Sequence, residues 1–225
     1  MTALDFFALF LFITLWVGFG LVTGEKQIVG RRSLTQLMNG HRTAWLRNSL
    51  KRDWKMIDTQ IISGLQNGTG FFASASIFAL GGSFALLHSA DQVRSIYANL
   101  PVFFQEGQSA FELKAMGLTV IFAYAFFKFG WSYRLFNYCS ILFGTLPMTD
   151  RVAEDPDLTE QQIQRVIRMN ILAGKHFNAG LRAIFLSIGY IGWFVSPLLL
   201  MANTVFIIGV LVHRQFFSQA REALL

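Results

Sequence analysis

Apolar residues form four long runs along the chain, and polar residues are concentrated between them. The runs cover residues 3–22, 61–87, 115–133 and 183–212. Each is about as long as a helix that crosses the roughly 30 Å hydrocarbon core of a bilayer. The pattern predicts an all-α integral membrane bundle of about four transmembrane helices, formed by a single domain over residues 1–225.

The third and fourth runs leave their boundaries open. After Arg134 the chain continues with a second uncharged stretch, so the point where the third span leaves the membrane is not fixed by the pattern. The fourth run covers thirty residues and holds Ser196 and Pro197 near its middle. Because proline lacks a backbone N–H, we expect one tilted helix with a kink at this point, and not two short helices.

Between the runs, apolar residues recur at helical spacing among basic ones, which predicts cytoplasmic amphipathic helices at the membrane interface. Thr159 and Gln162 have the spacing of a capping box, which marks a helix start. The apolar positions are Leu34, Leu37, Met38, Trp45, Leu46, Leu50, Trp54 and Ile57 in the first basic stretch, and Ile163, Val166, Ile167 and Ile171 in the second.

The basic residues lie mainly in two stretches, and this distribution predicts the orientation. Eight Lys and Arg residues, including Lys26, fall within 25–60 and six within 134–182, whereas the other flanks hold Arg94, Lys114, Arg214 and Arg221. Under the positive-inside rule both basic stretches are cytoplasmic, so four spans place both termini outside. The net charge of +6 therefore reports topology, and we expect no nucleic-acid partner.

Lys128 is the only charged residue well inside a predicted span. An ionisable residue at membrane depth is a candidate for contact with an anion, a lipid headgroup or a partner's carboxylate. The alternative is that its long side chain snorkels to the cytoplasmic face.

A second group of candidates stands at the predicted cytoplasmic mouth of the fourth span. Asn178 and Arg182 are four residues apart and share a helix face, whereas His176 points away from Asn178. Together with Arg134 near the end of the third span, these residues could bind a phosphate or a carboxylate. Structural capping and hydrogen bonds between helices are the alternative.

Amide and hydroxyl groups are unusually frequent in the second span. Such groups need partners in lipid, so we expect them to face other helices or a pore, and we expect a homo-oligomer. The candidates for this role are Gln66, Asn67, Thr69 and, in the last run, Asn203.

The sequence lacks the signatures of common enzymes and metal sites. Cys139 is the single cysteine, which excludes an intrachain disulfide and a thiolate cluster. No HExxH, P-loop, GxSxG or GxGxxG motif occurs, so a non-enzymatic role without a cofactor is favoured. His88 and His213, both predicted at outer span ends, leave a haem-binding electron carrier as an alternative.

Three segments resemble a known family: Asn39-Gly40-His41-Arg42, Gln66-Asn67-Gly68-Thr69, and the run from His176 to Arg182 that continues to Trp193, Phe194 and Pro197. The chain resembles, over nearly its whole length, the multi-pass membrane family known as domain of unknown function 599. The resemblance implies a bacterial inner-membrane protein of about four spans, and it carries over no activity, cofactor or catalytic residue.

Two functional classes follow from these observations. The first is a small oligomeric channel, transporter or lipid-binding protein, with membrane lipids as partners. The second is a structural or accessory subunit of a larger membrane complex.

Overall fold

The structure is a computed structural model that describes residues 1–24, 30–88 and 108–225; the predicted positions of Lys26 and Arg94 lie outside these ranges. All regular elements within them are helical, and four segments are long and apolar enough to cross a membrane: Ala3–Val22, Met56–His88, Ser109–Gly144 and Pro197–Glu222. The predicted all-α membrane bundle is confirmed. Its helices are α1 (Ala3–Val22), α2 (Leu34–Ser49), α3 (Met56–His88), α4 (Gln108–Gly144), α5 (Pro156–Ile191), α6 (Pro197–Phe216) and α7 (Gln219–Glu222), with short 3-10 turns at Thr149–Arg151 and Gly192–Phe194.

The helix starts follow from side chains that satisfy the first backbone N–H groups. Thr2 and Asp5 form a capping box on α1, and Ser33 and Gln36 form another on α2. The amphipathic helix expected to begin at Thr159 starts one turn earlier, where Asp155 caps Leu158 N and Pro156 occupies the first turn. Proline suits this position because the first turn leaves its N–H groups unpaired anyway.

Helices α3, α4 and α5 form an antiparallel layer. The Thr119 hydroxyl donates to Ser83 Oγ at 2.9 Å near one end of α3 and α4, and Lys55 Nζ donates to the Pro147 carbonyl at 2.6 Å near the other. Between α4 and α5, Ser132 donates to the Ala173 carbonyl at 2.7 Å. Since α4 and α5 have 37 and 36 residues, each is about 55 Å long and extends well beyond a 30 Å core.

The fourth apolar run is not the single kinked helix that we predicted. Its first part is the end of α5, and Pro197 starts a new helix, α6, because Ser196 caps Leu199 N at 3.1 Å. The chain reverses between the two helices, so that Gly189 packs against Asn203. Proline therefore marks a helix start after a tight turn and not a kink.

Helix α1 packs against α4, α5 and α6, and together they form the main apolar core. Phe12 and Tyr190 meet edge to face with ring centroids 5.5 Å apart, as do Trp16 and Tyr124. A second apolar cluster joins α2, α3, the C-terminal half of α4 and the N-terminal half of α5. It includes Leu46, Ile62, Cys139, Phe143, Ile163, Val166 and Ile167.

The two termini lie at opposite ends of the bundle. Asp5 near the N-terminus contacts Trp193, at what we call the Asp5 end. Near the C-terminus, Gln215 accepts hydrogen bonds from Thr35 of α2, at what we call the basic end. Both termini were predicted on the outer side of the membrane, whereas in the described bundle they lie at its two opposite ends. Arg214 and Arg221 lie at the basic end.

Candidate functional site

A cavity of about 100 Å³ opens at the basic end, where the C-terminal turn of α1 meets α2, α5 and α6. Five of its lining residues have apolar side chains: Phe19, Ile171, Leu181, Phe185 and Leu211. The remaining lining consists of two glycines, Gly20 and Gly24, and of the polar or cationic residues Thr23, Thr35, Gln36, Asn39, Lys175, Asn178, Arg182, Arg214 and Gln215.

Arg182 is a cation of this cavity that two contacts hold in place. Its Nη1 donates to Thr23 Oγ1 at 3.1 Å, and its guanidinium carbon lies 5.9 Å from the centroid of the Phe19 ring. The Nε atom is buried and has no hydrogen-bond partner in the described part of the chain. A buried donor without an acceptor costs about 1–3 kcal/mol, so this N–H favours a ligand that brings an acceptor.

Arg214 reaches the cavity from α6, one helix away from Arg182. Its guanidinium carbon lies 5.6 Å from the centroid of the Phe185 ring, a distance at which the ring attracts the cation. Lys175 contributes a third positive charge from α5, two turns before Arg182. Three cations from two helices therefore converge on one small space.

No acidic side chain lines the cavity among the described residues. Within those residues, the ion pairs join Arg47 to Glu160, Arg52 to Asp58 and Lys114 to Asp5, so neither guanidinium of the cavity has a carboxylate within 4.0 Å. The guanidinium groups of Arg182 and Arg214 repel each other unless a counter-charge is present. The geometry therefore suits an anion.

Helix α2 forms one wall of the cavity and is held in place by two sets of hydrogen bonds. At its start, Gln36 Nε2 donates to the Gly24 carbonyl at 3.0 Å, which ties it to the end of α1. Further along, Arg42 Nη1 donates to Asn170 Oδ1 at 2.7 Å, with its guanidinium packed on Gly174. Burial lowers the pKa of Arg42 from its ordinary value.

The structure divides the predicted ligand-binding residues between two places. Asn178 and Arg182 line the cavity, whereas Lys128, Arg134 and His176 line a separate open groove on α4 and α5. The two sets of lining residues share no member. The helical geometry explains the division, because His176 and Asn178 are two positions apart and face different sides of α5.

The predicted pore or packing residues do not gather around one channel. Thr69 is buried and donates to the Leu65 carbonyl of its own helix at 2.8 Å, Gln66 is half-buried and Asn67 is exposed. Asn203 is half-buried and packs against Gly192 in the α5–α6 turn. Their pore role stays a prediction.

The two histidines of the haem alternative lie at opposite ends of the described bundle. His88 ends α3 at the Asp5 end, and His213 is in the last turn of α6 at the basic end. Both were predicted at outer span ends, and they are far apart within one chain because α6 runs in the reverse direction to α5 after the turn at Pro197. In the described part of the chain, no group of three or more His, Cys, Asp or Glu could hold a metal ion.

Several cavity residues were missed in the sequence. Thr35, Asn39, Arg214 and Gln215 lie on helices that are distant from Arg182 along the chain, and only tertiary packing brings them to it. One sequence signal was available. Arg214 and Gln215 interrupt the apolar run at its end, where a polar face begins.

The fold and the cavity define an all-helical membrane bundle with an anion-compatible site at its basic end. Residues 7–220 match the family described as "Protein of unknown function, DUF599", and the chain belongs to this family. Neither a curated protein nor a solved structure matches the chain. The family resemblance predicted from the sequence is thereby confirmed.

Proposed function

We propose that this protein is a bacterial inner-membrane protein that binds a phosphate or carboxylate group in the cavity at its basic end. The observation that carries the proposal is Arg182, whose buried Nε has no acceptor while its Nη1 is held by Thr23. Arg214 and Lys175 add positive charge, and Asn178 adds an amide on the same helix face as Arg182.

The size of the cavity limits the ligand. About 100 Å³ of the cavity is open to the centres of water-sized molecules, so the space suits a small group. One tetrahedral oxyanion fits this space, whereas a whole lipid does not. The ligand is therefore either a free anion or the anionic headgroup of a lipid whose chains remain in the bilayer.

The charge at the basic end supports one orientation of the protein in the membrane. The basic end holds the described Lys and Arg residues of both basic stretches, together with Arg214 and Arg221, and under the positive-inside rule this end is cytoplasmic. The N-terminus is then outside and the C-terminus is in the cytoplasm.

This orientation predicts that the two ends of the chain report from opposite sides of the membrane. Single cysteines introduced at Thr2 and at Leu225, in a Cys139→Ala background, should differ in their labelling by an impermeant maleimide on intact spheroplasts. We expect labelling at Thr2 only, and at both positions after lysis. Equal labelling of both positions in intact spheroplasts would contradict the proposal.

Removing the central cation should weaken anion binding. We expect inorganic phosphate to raise the unfolding midpoint of the full chain in dodecyl maltoside, because a ligand of the folded state stabilises it. Arg182→Gln should weaken the apparent affinity by about 10- to 100-fold, as expected for the loss of a charge-assisted hydrogen bond. Phosphatidylglycerol mixed into the micelles, with no free phosphate, distinguishes a headgroup from a free anion.

The matched control is Arg168→Gln, which removes the same charge from an exposed position of the same helix. It should leave the response to phosphate and to phosphatidylglycerol unchanged. If neither probe shifts the midpoint of the unmodified protein, or if both variants respond alike, the cavity is not an anion site.

Transport, conduction and a role in a larger complex stay predictions, and so does self-association. The exposed face of α3 is the place where a second copy would pack. It carries Asn67 among Gly64, Gly68 and Phe71, and such small residues allow close approach of helices.

A further inference from the structure

A shallow groove of about 580 Å³ runs along the outer surface of α4 and α5, separate from the cavity. Its cationic residues are Lys128 and Arg134 of α4, with His176 of α5 beside them. Three of its aromatic residues are exposed: Phe127 by 71%, Trp131 by 46% and Tyr124 by 38%. A surface that combines exposed rings and cations is typical of the zone where a membrane protein meets lipid headgroups.

The contacts within the bundle place this groove at one boundary of the membrane. Helix α1 has twenty residues, just enough to cross the hydrocarbon core, so its C-terminal end marks the boundary at the basic end. Thr23, directly after α1, accepts a hydrogen bond from Arg182 of α5. Gly180, also on α5, packs against Phe129 of α4. Lys128 is therefore close to this boundary, and Arg134 lies about 9 Å beyond it along α4.

The cations of the groove are held in position by aromatic rings. Lys128 Nζ lies 5.1 Å from the centroid of the Tyr124 ring, which is one turn nearer the Asp5 end. Arg134 Nε donates to the Tyr138 hydroxyl, and its guanidinium carbon lies 5.4 Å from that ring. A cation held by a ring loses less freedom when a ligand arrives, which favours binding.

The groove contains no acidic side chain, and Lys128 and Arg134 form no ion pair in the described part of the chain. Trp131 meets His176 edge to face, with centroids 6.5 Å apart, and closes the groove on the α5 side. Both the charge and the apolar surface are therefore available to a molecule in the bilayer.

We propose that the α4–α5 groove binds one anionic phospholipid of the leaflet at the basic end. The lipid phosphate lies between Lys128 and Arg134, and an acyl chain runs along Phe127 towards the membrane interior. The bilayer itself supplies this ligand, because the groove faces outward at headgroup level and carries charge opposite to that of an acidic leaflet. This site goes beyond the cavity and shares none of its residues.

The test counts lipids bound to the full chain in dodecyl maltoside by native mass spectrometry. Phosphatidylglycerol is compared with phosphatidylcholine of the same acyl chains. We expect tighter retention of phosphatidylglycerol. In the double variant Lys128→Gln, Arg134→Gln, we expect the affinity for one bound phosphatidylglycerol to fall by about 25-fold, because each cation contributes about fivefold. Lys128→Arg keeps the charge and should retain the lipid.

Two further variants make the result specific. Arg168→Gln removes an exposed charge on α5 and should have no effect, whereas Arg182→Gln alters the cavity and should leave the groove lipid in place. Failure of the cavity proposal and failure of this one are thus separate outcomes. Equal retention of the two lipids, or an equal loss in Arg168→Gln and in the double variant, would overturn the groove site.

Discussion

Replacing Asp5 by alanine should destabilise the bundle by about 3 kcal/mol or more, because it breaks a buried polar network at the Asp5 end. The Asp5 carboxylate accepts from Trp193 Nε1 at 2.8 Å and from Thr2 N at 2.7 Å, and it lies 3.8 Å from Lys114 Nζ. Asp5, Lys114 and Trp193 are each at most 2% exposed. Without the carboxylate, the indole N–H of Trp193 loses its acceptor in a site that water does not reach.

The network matters because it holds the turn between α5 and α6. Trp193 belongs to the 3-10 segment of that turn, and Lys114 Nζ donates to its carbonyl at 2.9 Å. One side chain from α1 and one from α4 therefore secure the point at which the chain reverses. Loss of the carboxylate should loosen the turn as well as the end of α1.

The measurement is the thermal unfolding midpoint in detergent, with an expected decrease of about 6–12 °C. Thr2→Ala removes the helix cap but leaves the bond to Trp193, so it should cost only about 1 kcal/mol. Asp53→Ala removes an exposed carboxylate and should have little effect. A decrease for Asp5→Ala no larger than that for Thr2→Ala would show that the tie to Trp193 adds no stability.

Adding a single methyl group at Gly180 should cost about 2 kcal/mol, although alanine is the better helix former. A Cβ at this position would lie 2.7 Å from two atoms of the Phe129 ring. That ring is fully buried and is held by Phe72 and Phe177, whose centroids are 5.5 and 5.6 Å away. It cannot move aside without disturbing both neighbours, so α4 and α5 must separate.

Gly130→Ala is the matched control, because it makes the same change on α4, where a Cβ would meet nothing within 4 Å. We expect it to be neutral or stabilising by up to about 1 kcal/mol. Phe129→Leu combined with Gly180→Ala should recover part of the loss by making room. The measurement compares the thermal unfolding midpoints of the unmodified protein, the two single glycine variants and the double variant. Equal midpoints for the two single glycine variants would refute the close contact.

The apolar pattern was sufficient to predict the class of the fold. Long apolar runs at 3–22 and 61–87 correspond to α1 and to most of α3, because a helix that crosses lipid requires a continuous apolar stretch. The amphipathic helices were visible for the same reason, since one helix face must be apolar to pack.

The path of the chain through the bundle was not predictable in this way. Pro197 in an apolar run is compatible with a kink or with a new helix, and the choice depends on whether Ser196 can cap the helix and whether Gly192 admits Leu199 and Asn203. Those contacts are tertiary. This one turn directs α6 towards the basic end and separates His88 from His213 within one chain.

For the candidate site, the sequence by itself determined that Asn178 and Arg182 share a helix face, because four-residue spacing fixes that relation in any helix. It also determined that His176 faces elsewhere. Only the tertiary structure decided that Arg214 and the start of α2 complete the cavity, and that Lys128 and Arg134 belong to a different surface. The physical reason is that helical periodicity relates neighbours within one helix, whereas a site between helices depends on how their side chains pack, as Phe129 packs on Gly180 and Arg42 on Gly174.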